Sequence, residues 1–314
     1  MTKKYDATIV GLYILDVLGR PVSKIPDGGN VEFIEELRLT VAGTAGGTVV
    51  DCAKLGLKTL AVGAVGDDEK ADFVIATLEK FGVDTSGFEK VKNIPTSSTI
   101  LNVRPNGDRP ALHLRGASDH FLPPSEERID IFDCKVFHLG GTGLLKKLDG
   151  EASVSLLKEA KERGCITTWD LIAATEDTLG IVEPLLPYID YFMPSIEEAS
   201  IMSGKKDPEE VAKFYIDKGV KNCVLTMGEQ GSLFMSKSQK ITTPAFDINV
   251  VDTTGCGDAF DAGMITALAK DMNLETSLKF STATSGLVAT GLGSDAGIIS
   301  YEDTIKQMES FKIK

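Results

Sequence analysis

Short runs of apolar, mostly β-branched residues alternate along the chain with longer stretches in which apolar positions recur every three to four residues. The short runs are residues 8–10, 59–62, 136–139, 167–170, 191–193 and 223–226, and most are followed by Gly, Asp or Ser. The longer stretches are residues 48–55, 70–81, 151–162 and 208–218; the second carries Phe73, Ile75, Leu78 and Phe81 at helical spacing. Short buried strands alternating with amphipathic helices predict an α/β architecture, with a mostly parallel sheet between two helical layers. In such sheets ligands gather beyond the carboxyl ends of the strands, so the Gly, Asp and Ser positions are where chemistry is expected.

Two stretches break the rhythm. Residues 12–41 contain Gly, Pro and Asp without a long helix. Residues 95–116 alternate apolar and polar positions on either side of Pro105-Asn106-Gly107-Asp108, which predicts a β-hairpin. Together they predict a small sheet projecting from one domain that spans residues 1–314. A small sheet with one apolar face needs a cover, so it is expected to act as a discontinuous lid (12–41 and 95–116) over a substrate or to pair with a second subunit.

Charge narrows the function. Of 314 residues, 33 are basic and 46 acidic, a formal net charge of −13. Such a chain is repelled by a nucleic-acid backbone or an anionic membrane, although a few backbone N–H groups can still hold a phosphate. The five cysteines, at 52, 134, 165, 223 and 256, are odd in number and form no C-x-x-C pair, so neither zinc site nor disulfide framework is expected. With no signal-peptide pattern and no apolar run of membrane-spanning length, a cytoplasmic location is expected.

The richest segment is residues 250–263, with Asp252-Thr253-Thr254-Gly255-Cys256-Gly257-Asp258 leading into an apolar periodic stretch with Phe260, Met264 or Ile265, and Leu268 on one side. This spacing puts the glycines at a helix N-terminus, where free N–H groups and the helix dipole bind anions. Asp258 then sits in the first turn, placed to take a proton from a hydroxyl that attacks phosphorus. A bare G-x-G-D would more simply be a helix cap; the fuller string favours the catalytic reading.

The segment closely resembles the C-terminal signature of the ribokinase-like (PfkB) family of carbohydrate and nucleoside kinases. Further segments match that family in order. Gly11 to Asp16 resembles its first strand and substrate-binding Asp; Ala42-Gly43-Thr44-Ala45-Gly46-Gly47 with Ala53-Lys54-Leu55-Gly56 is similar to its N-terminal signature. Val62-Gly63-Ala64-Val65-Gly66-Asp67-Asp68, Arg115-Gly116-Ala117, His138-Leu139-Gly140-Gly141, Trp169-Asp170 and Thr226-Met227-Gly228-Glu229-Gln230-Gly231 resemble later family segments. The resemblance implies a ribokinase-like three-layer α/β/α fold with a β-sheet lid. It implies an ATP-dependent, Mg2+-assisted phosphorylation of a hydroxyl, expected to be a primary hydroxymethyl on a small carbohydrate. Asp258 would be the base, and the N–H groups of Gly255, Cys256 and Gly257 the anion hole. Asp16 and Gly43 would hold acceptor hydroxyls, with Gly47, Arg115, His138 and Gly140 also on the substrate side. Thr226, Gly228, Gly231 and Gly293 would lie along the nucleotide. Ser195 and Glu198 would bear on Mg2+, and Asp252 and Thr254, with carbonyls of 291–294, on the K+ that many members bind. A homodimer through the lid is expected.

Two departures stand out. The family's N-x-x-E reads Ser195-Ile196-Glu197-Glu198, so serine replaces the asparagine. Gly47 stands where sugar kinases carry a substrate-contacting Asn, which removes a sugar-hydroxyl partner. Cys256 reads as a small residue offering its N–H, or else as a reactive thiol at a helix N-terminus. His113 and His120 read as structural, and Arg115 equally well as a solvated hairpin residue. The alternatives are a nucleoside acceptor, for which the apolar hairpin positions Leu101, Val103, Leu112 and Leu114 leave room, and a non-catalytic sugar- or nucleotide-binding protein. A Rossmann dehydrogenase is disfavoured because Gly11-Leu12-Tyr13 lacks the second glycine.

Overall fold

A computed structural model describes residues 3–314. In chain order the elements begin with β1 (Tyr5–Gly11), β2 (Ile14–Arg20), β3 (Glu36–Ala42), α1 (Thr44–Lys54), β4 (Thr59–Val62), β5 (Ala64–Val65) and α2 (Glu69–Lys80). There follow β6 (Glu89–Lys90), β7 (Ser98–Asn102), β8 (Ala111–Leu114), β9 (Cys134–Thr142), α3 (Glu151–Glu162), β10 (Ile166–Leu171), α4 (Thr178–Val182), β11 (Tyr191–Phe192), α5 (Ile196–Ser203) and α6 (Pro208–Asp217). The chain closes with β12 (Asn222–Thr226), β13 (Ser232–Ser236), β14 (Lys240–Thr243), α7 (Cys256–Ala269), α8 (Leu274–Ala289) and α9 (Tyr301–Ser310).

Eight strands form the central sheet in the order β14-β13-β12-β11-β10-β9-β1-β4. From β4 to β12 the pairing is parallel; β13 and β14 add an antiparallel edge. The parallel strands are buried on both faces, which is why they read as continuous apolar runs rather than alternating ones. One face is packed with Phe137, Leu157, Trp169, Phe192 and Tyr215, the other with Ile9, Val49, Val74, Ala262 and Ile265. Trp169 anchors the first layer: it stacks on Phe192 at 4.5 Å between ring centroids and donates its indole N–H to Thr142 Oγ1 at 2.9 Å.

The two stretches that broke the periodicity form a separate four-stranded sheet, β3-β2-β7-β8. The β7–β8 hairpin is present, antiparallel, with Ser98 opposite Leu114. One face turns Asp16, Thr99, Leu101, Ala111 and His113 inward. Leu37, Leu39, Ile100, Leu112 and Leu114 are exposed.

Helix α7 differs from the expected pattern. Instead of one apolar side, every residue from Ala259 to Ala267 is buried, because α7 lies between α1 and α8. A helix covered all round reads as apolar all round, and its single-sided periodicity disappears.

Candidate active site

Two cavities meet at the N-terminus of α7. The larger, about 550 Å3, lies between the carboxyl ends of the central strands and the small sheet; its lining includes Asp16, Gly43, Thr99, Arg109, Asp170, Glu198 and Asp258. The smaller, about 370 Å3, is lined by Thr226, Gly228, Gly231, Phe246, Ile248, Ser285 and Gly286 among others. Thr253, Cys256 and Gly257 border both. A group passing from one cavity to the other must cross this turn.

The turn owes its shape to Gly255, the N-cap of α7, at φ 78°. A Cβ there would stand 2.4 Å from that of Ser294, so both the backbone angle and the space call for glycine. Gly257, in the first turn, faces open space. The helix therefore presents its dipole and first-turn N–H groups to the cavity junction. The Cys256 N–H is partly engaged, donating to Thr253 O at 3.3 Å. Burial pushes the Cys256 thiol up to about 12, so it is not a reactive thiolate.

Asp258 lies one residue further on. Burial, then the neighbouring charge of Asp16, pushes its carboxyl up to about 7, while Arg109 opposes the rise. Asp16, on β2, is likewise pushed to about 7, chiefly by burial, with Thr99 and Arg109 acting the other way. Asp16 Oδ1 is buried without a hydrogen-bond partner among the described residues, as are the hydroxyls of Thr40 and Thr44. Asp16 and Thr44 line the larger cavity, so both hold unused capacity for a polar ligand.

Ser195 and Glu198 form a capping box at the start of α5. The Glu198 N–H donates to Ser195 Oγ at 3.3 Å, and the Ser195 hydroxyl donates to Glu198 Oε2 at 2.7 Å. Serine here holds the carboxylate in place, a task the helix geometry gives it directly. Glu198 reaches the larger cavity and Ser195 does not. Burial raises the Glu198 carboxyl above its ordinary value. A hard cation would find Glu198 and Asp170 on the wall, and among the described residues no cluster of three side-chain ligands. That sparse oxygen set fits Mg2+ carried largely by water and phosphate oxygens.

Asp252 is buried. Its Oδ1 accepts from the Thr254 N–H at 3.0 Å and the Thr254 hydroxyl at 2.8 Å, and its Oδ2 from the Gly293 N–H at 2.9 Å. Among the described residues no basic side chain pairs with it, so a monovalent cation would meet a fixed, uncompensated carboxylate. Gly293 itself serves this staple and is not part of the smaller cavity's wall.

Other expected residues lie elsewhere. Arg115 pairs with Asp119 at 2.7 Å outside both cavities, as a solvated hairpin arginine would. His138 is fully buried below the cavity floor; burial lowers its pKa to about 3, and its Nδ1 sits 3.0 Å from Thr168 Oγ1. Gly140 accepts the Leu12 N–H at 3.0 Å and packs against Thr44, with no share in the cavity wall. Gly47 lies behind Asp258: a Cβ there would be 2.6 Å from Asp258 Oδ2 and 3.0 Å from its Cβ.

Arg109 went unnoticed in the sequence. It follows the hairpin turn, lines the larger cavity, and its charge is felt at Asp16, Asp258 and Cys256. Among the described residues no carboxylate lies within ion-pair distance of it. A lone arginine after Asn-Gly-Asp looks like turn polarity; only strand pairing brings it into the cavity with Asp258. Asp170, at the end of β10, is more legible, since it follows a buried run at a carboxyl strand end.

Comparison with known proteins bears on the fold and the family. The chain is 26% identical over 307 residues to a deoxyribokinase of Salmonella typhi, covering 95% of this chain and 96% of that protein. It is 29% identical over 289 residues to fructokinase-2 of Oryza sativa subsp. japonica, covering 86% and 85%. Among solved structures, Arabidopsis thaliana ribokinase complexed with ribose and ATP superposes with a TM-score of 0.81 at 21% identity, covering 98% of this chain and 99% of the other. An E. coli protein described as ribokinase II, in complex with ATP and Mg2+, superposes at 0.83 with 20% identity, covering 97% and 99%. The model of the pfkB family carbohydrate kinases matches residues 6–300, and the chain therefore belongs to that family of carbohydrate kinases.

Proposed function

We propose that the protein transfers the γ-phosphoryl group of ATP to a hydroxyl, primary by preference, of a small carbohydrate. The observation that carries this reading is the position of Asp258 beside the α7 N-terminus, where the two cavities join. The smaller cavity, with its apolar wall of Phe246, Ile248 and Val250, takes the nucleotide base, and Thr226, Gly228 and Gly231 lie along it. The larger cavity takes the acceptor, with Asp16, Gly43 and Thr44 on its hydroxyls. Asp258 accepts the hydroxyl proton as oxygen attacks phosphorus, and its raised pKa makes it a stronger base than an ordinary carboxylate. The N–H groups of Gly255 and Gly257 and the helix dipole stabilise charge on the transferring group. Arg109, carried by the small sheet, adds a full positive charge there when that sheet folds over the site as a lid. Mg2+, held by Glu198 through water, would neutralise phosphate charge; Asp252 with Thr254 and the 291–294 loop would hold K+.

A second acceptor class has its own support. Leu12, Ile14, Leu101, Leu144, Leu171 and Ile172 give the larger cavity an apolar wall that suits the base of a nucleoside. A side-by-side measurement of ATP consumption with sugars and nucleosides separates the two. Acceptor-dependent ADP formation with sugars supports the first reading; turnover with nucleosides alone replaces it by the second. ATP binding with no turnover on any acceptor would leave a binding protein.

A further inference from the structure

Cys134 opens β9, and Cys165 immediately precedes β10, its parallel neighbour. Both strands begin at the end of the sheet opposite the site. The two sulfurs lie 3.8 Å apart, although the residues are 31 positions apart in sequence. Both side chains are buried, and they hold each other among backbone carbonyls: Cys165 Sγ sits 3.3 Å from Phe132 O and 3.4 Å from Cys134 O, and Cys134 Sγ sits 3.7 Å from Ile131 O. Two cations frame the pair. Lys3 Nζ donates to Phe132 O at 3.0 Å, and the Arg163 guanidinium lies over the Phe132 ring.

We propose that Cys134 and Cys165 are a modification site, a dithiol that closes to a disulfide under a peroxide or a disulfide oxidant. The sulfurs need to approach by less than 2 Å or so to reach bonding distance, a shift that side-chain rotation can supply. Cys165 is the attacking partner. The hydrogen bond from Cys134 lowers its pKa, with Lys3 and Arg163 helping, whereas Cys134, Cys223 and Cys52 are all raised. With hydrogen peroxide, the Cys165 thiolate attacks one peroxide oxygen and the O–O bond breaks, giving a sulfenic acid and hydroxide. Cys134 then attacks the sulfenyl sulfur and expels the second oxygen, as water once protonated. In total two thiols and one peroxide give one disulfide and two waters. The remaining cysteines do not compete: among the described residues no other two sulfurs are in contact, burial raises the thiols of Cys52 and Cys223, and the Cys256 thiol is held at about 12.

The site is remote from the chemistry. Eight residue steps along β9 separate Cys134 from Thr142, roughly 26 Å at strand rise. Closure therefore pins the floor of the sheet and leaves phosphoryl transfer alone. This inference stands whatever acceptor the enzyme uses.

The test is mild oxidation of the full-length protein with hydrogen peroxide, followed by denaturation, alkylation and peptide mass mapping. The expected product is two hydrogens lighter, with the loss mapped to a cross-linked pair of peptides containing Cys134 and Cys165. Cys165→Ser and, independently, Cys134→Ala abolish it. The melting temperature of the oxidised protein rises by roughly 5 °C and returns on reduction. Recovery of all five thiols as alkylated cysteines would overturn the proposal. Sulfinic acid on Cys165 with Cys134 still reduced would do the same.

Discussion

At the scale of single residues, the proposed mechanism makes Asp258 decisive for rate, and its burial makes it matter for stability. Its carboxyl moves from an ordinary 3.8 to about 7, chiefly through burial. In the proposed mechanism the ionised form is the base, so kcat/KM should rise with pH up to about 7 and level off above it; a flat profile between pH 5 and 8 would contradict the assignment. Asp258→Asn removes the base and lowers kcat by about 10²–10⁴-fold, while nucleotide affinity by calorimetry stays within about threefold. The same substitution stabilises the fold. Below the unfolded pKa Asp258 is neutral in both states and costs nothing; the cost of ionising it in the folded state grows until pH passes the folded pKa of about 7. The ceiling is about 4 kcal/mol from three pK units, which solvent reaching the half-buried carboxyl reduces to about 1–2 kcal/mol. Denaturant melts should show this gain at pH 8 and a smaller one at pH 5. Gly47 matters through what it lacks. Gly47→Ala drives a methyl into Asp258, so it should cut kcat at least tenfold and change KM for ATP little. Unchanged kcat would show that Asp258 has room to move.

At the scale of elements, the α7 N-terminus was readable because glycine spacing, a first-turn acid and the following apolar run share one stretch of chain. Asp170 was readable at the carboxyl end of an apolar run, Asp16, the third residue of β2, only through the family resemblance, and the hairpin at residues 98–114 by its Asn-Gly turn. What the chain did not disclose depends on pairing across space. Arg109 reaches the cavity of Asp258 only because β7 joins β2 in parallel and β8 folds back on it. Gly140 sits near the right strand end and His138 at the middle of β9, and their side of the strand is packed under α1 rather than open to the cavity. The serine at 195, expected to bear on Mg2+, is the N-cap of α5, where it positions Glu198. The Cys134–Cys165 approach likewise follows from strand adjacency, which cysteine spacing alone cannot report. The proposed role of the small sheet gives an element-level prediction. Arg109→Gln should lower kcat about 10–10²-fold with every acceptor, as expected for a charge on the transferring phosphoryl group. A loss confined to KM of one acceptor would assign Arg109 to acceptor recognition instead.

At the scale of the molecule, the outer face of the small sheet bears on assembly. Leu112 is 65% exposed, Leu37 64% and Ile100 51%, on three of the four strands of this sheet, β8, β3 and β7. A two-fold pairing of two such apolar faces would cover both at once, which is the basis of the proposed homodimer. Light scattering should give a dimer at micromolar concentration, and Ile100→Glu with Leu112→Glu a monomer; a monomeric wild type would refute the pairing. The net charge of −13 is compatible with a polyphosphate substrate, because the proposed phosphate contacts are backbone N–H groups, a helix dipole, one arginine and Mg2+. No described helix is long and apolar enough to cross a membrane. The most direct test of the central claim is acceptor-dependent ADP formation across a panel of sugars and nucleosides, with wild type and Asp258→Asn in parallel. The predicted result is turnover by wild type on at least one hydroxyl acceptor, with the variant reduced at least a hundredfold at equal ATP occupancy. Equal turnover by the two proteins would contradict it.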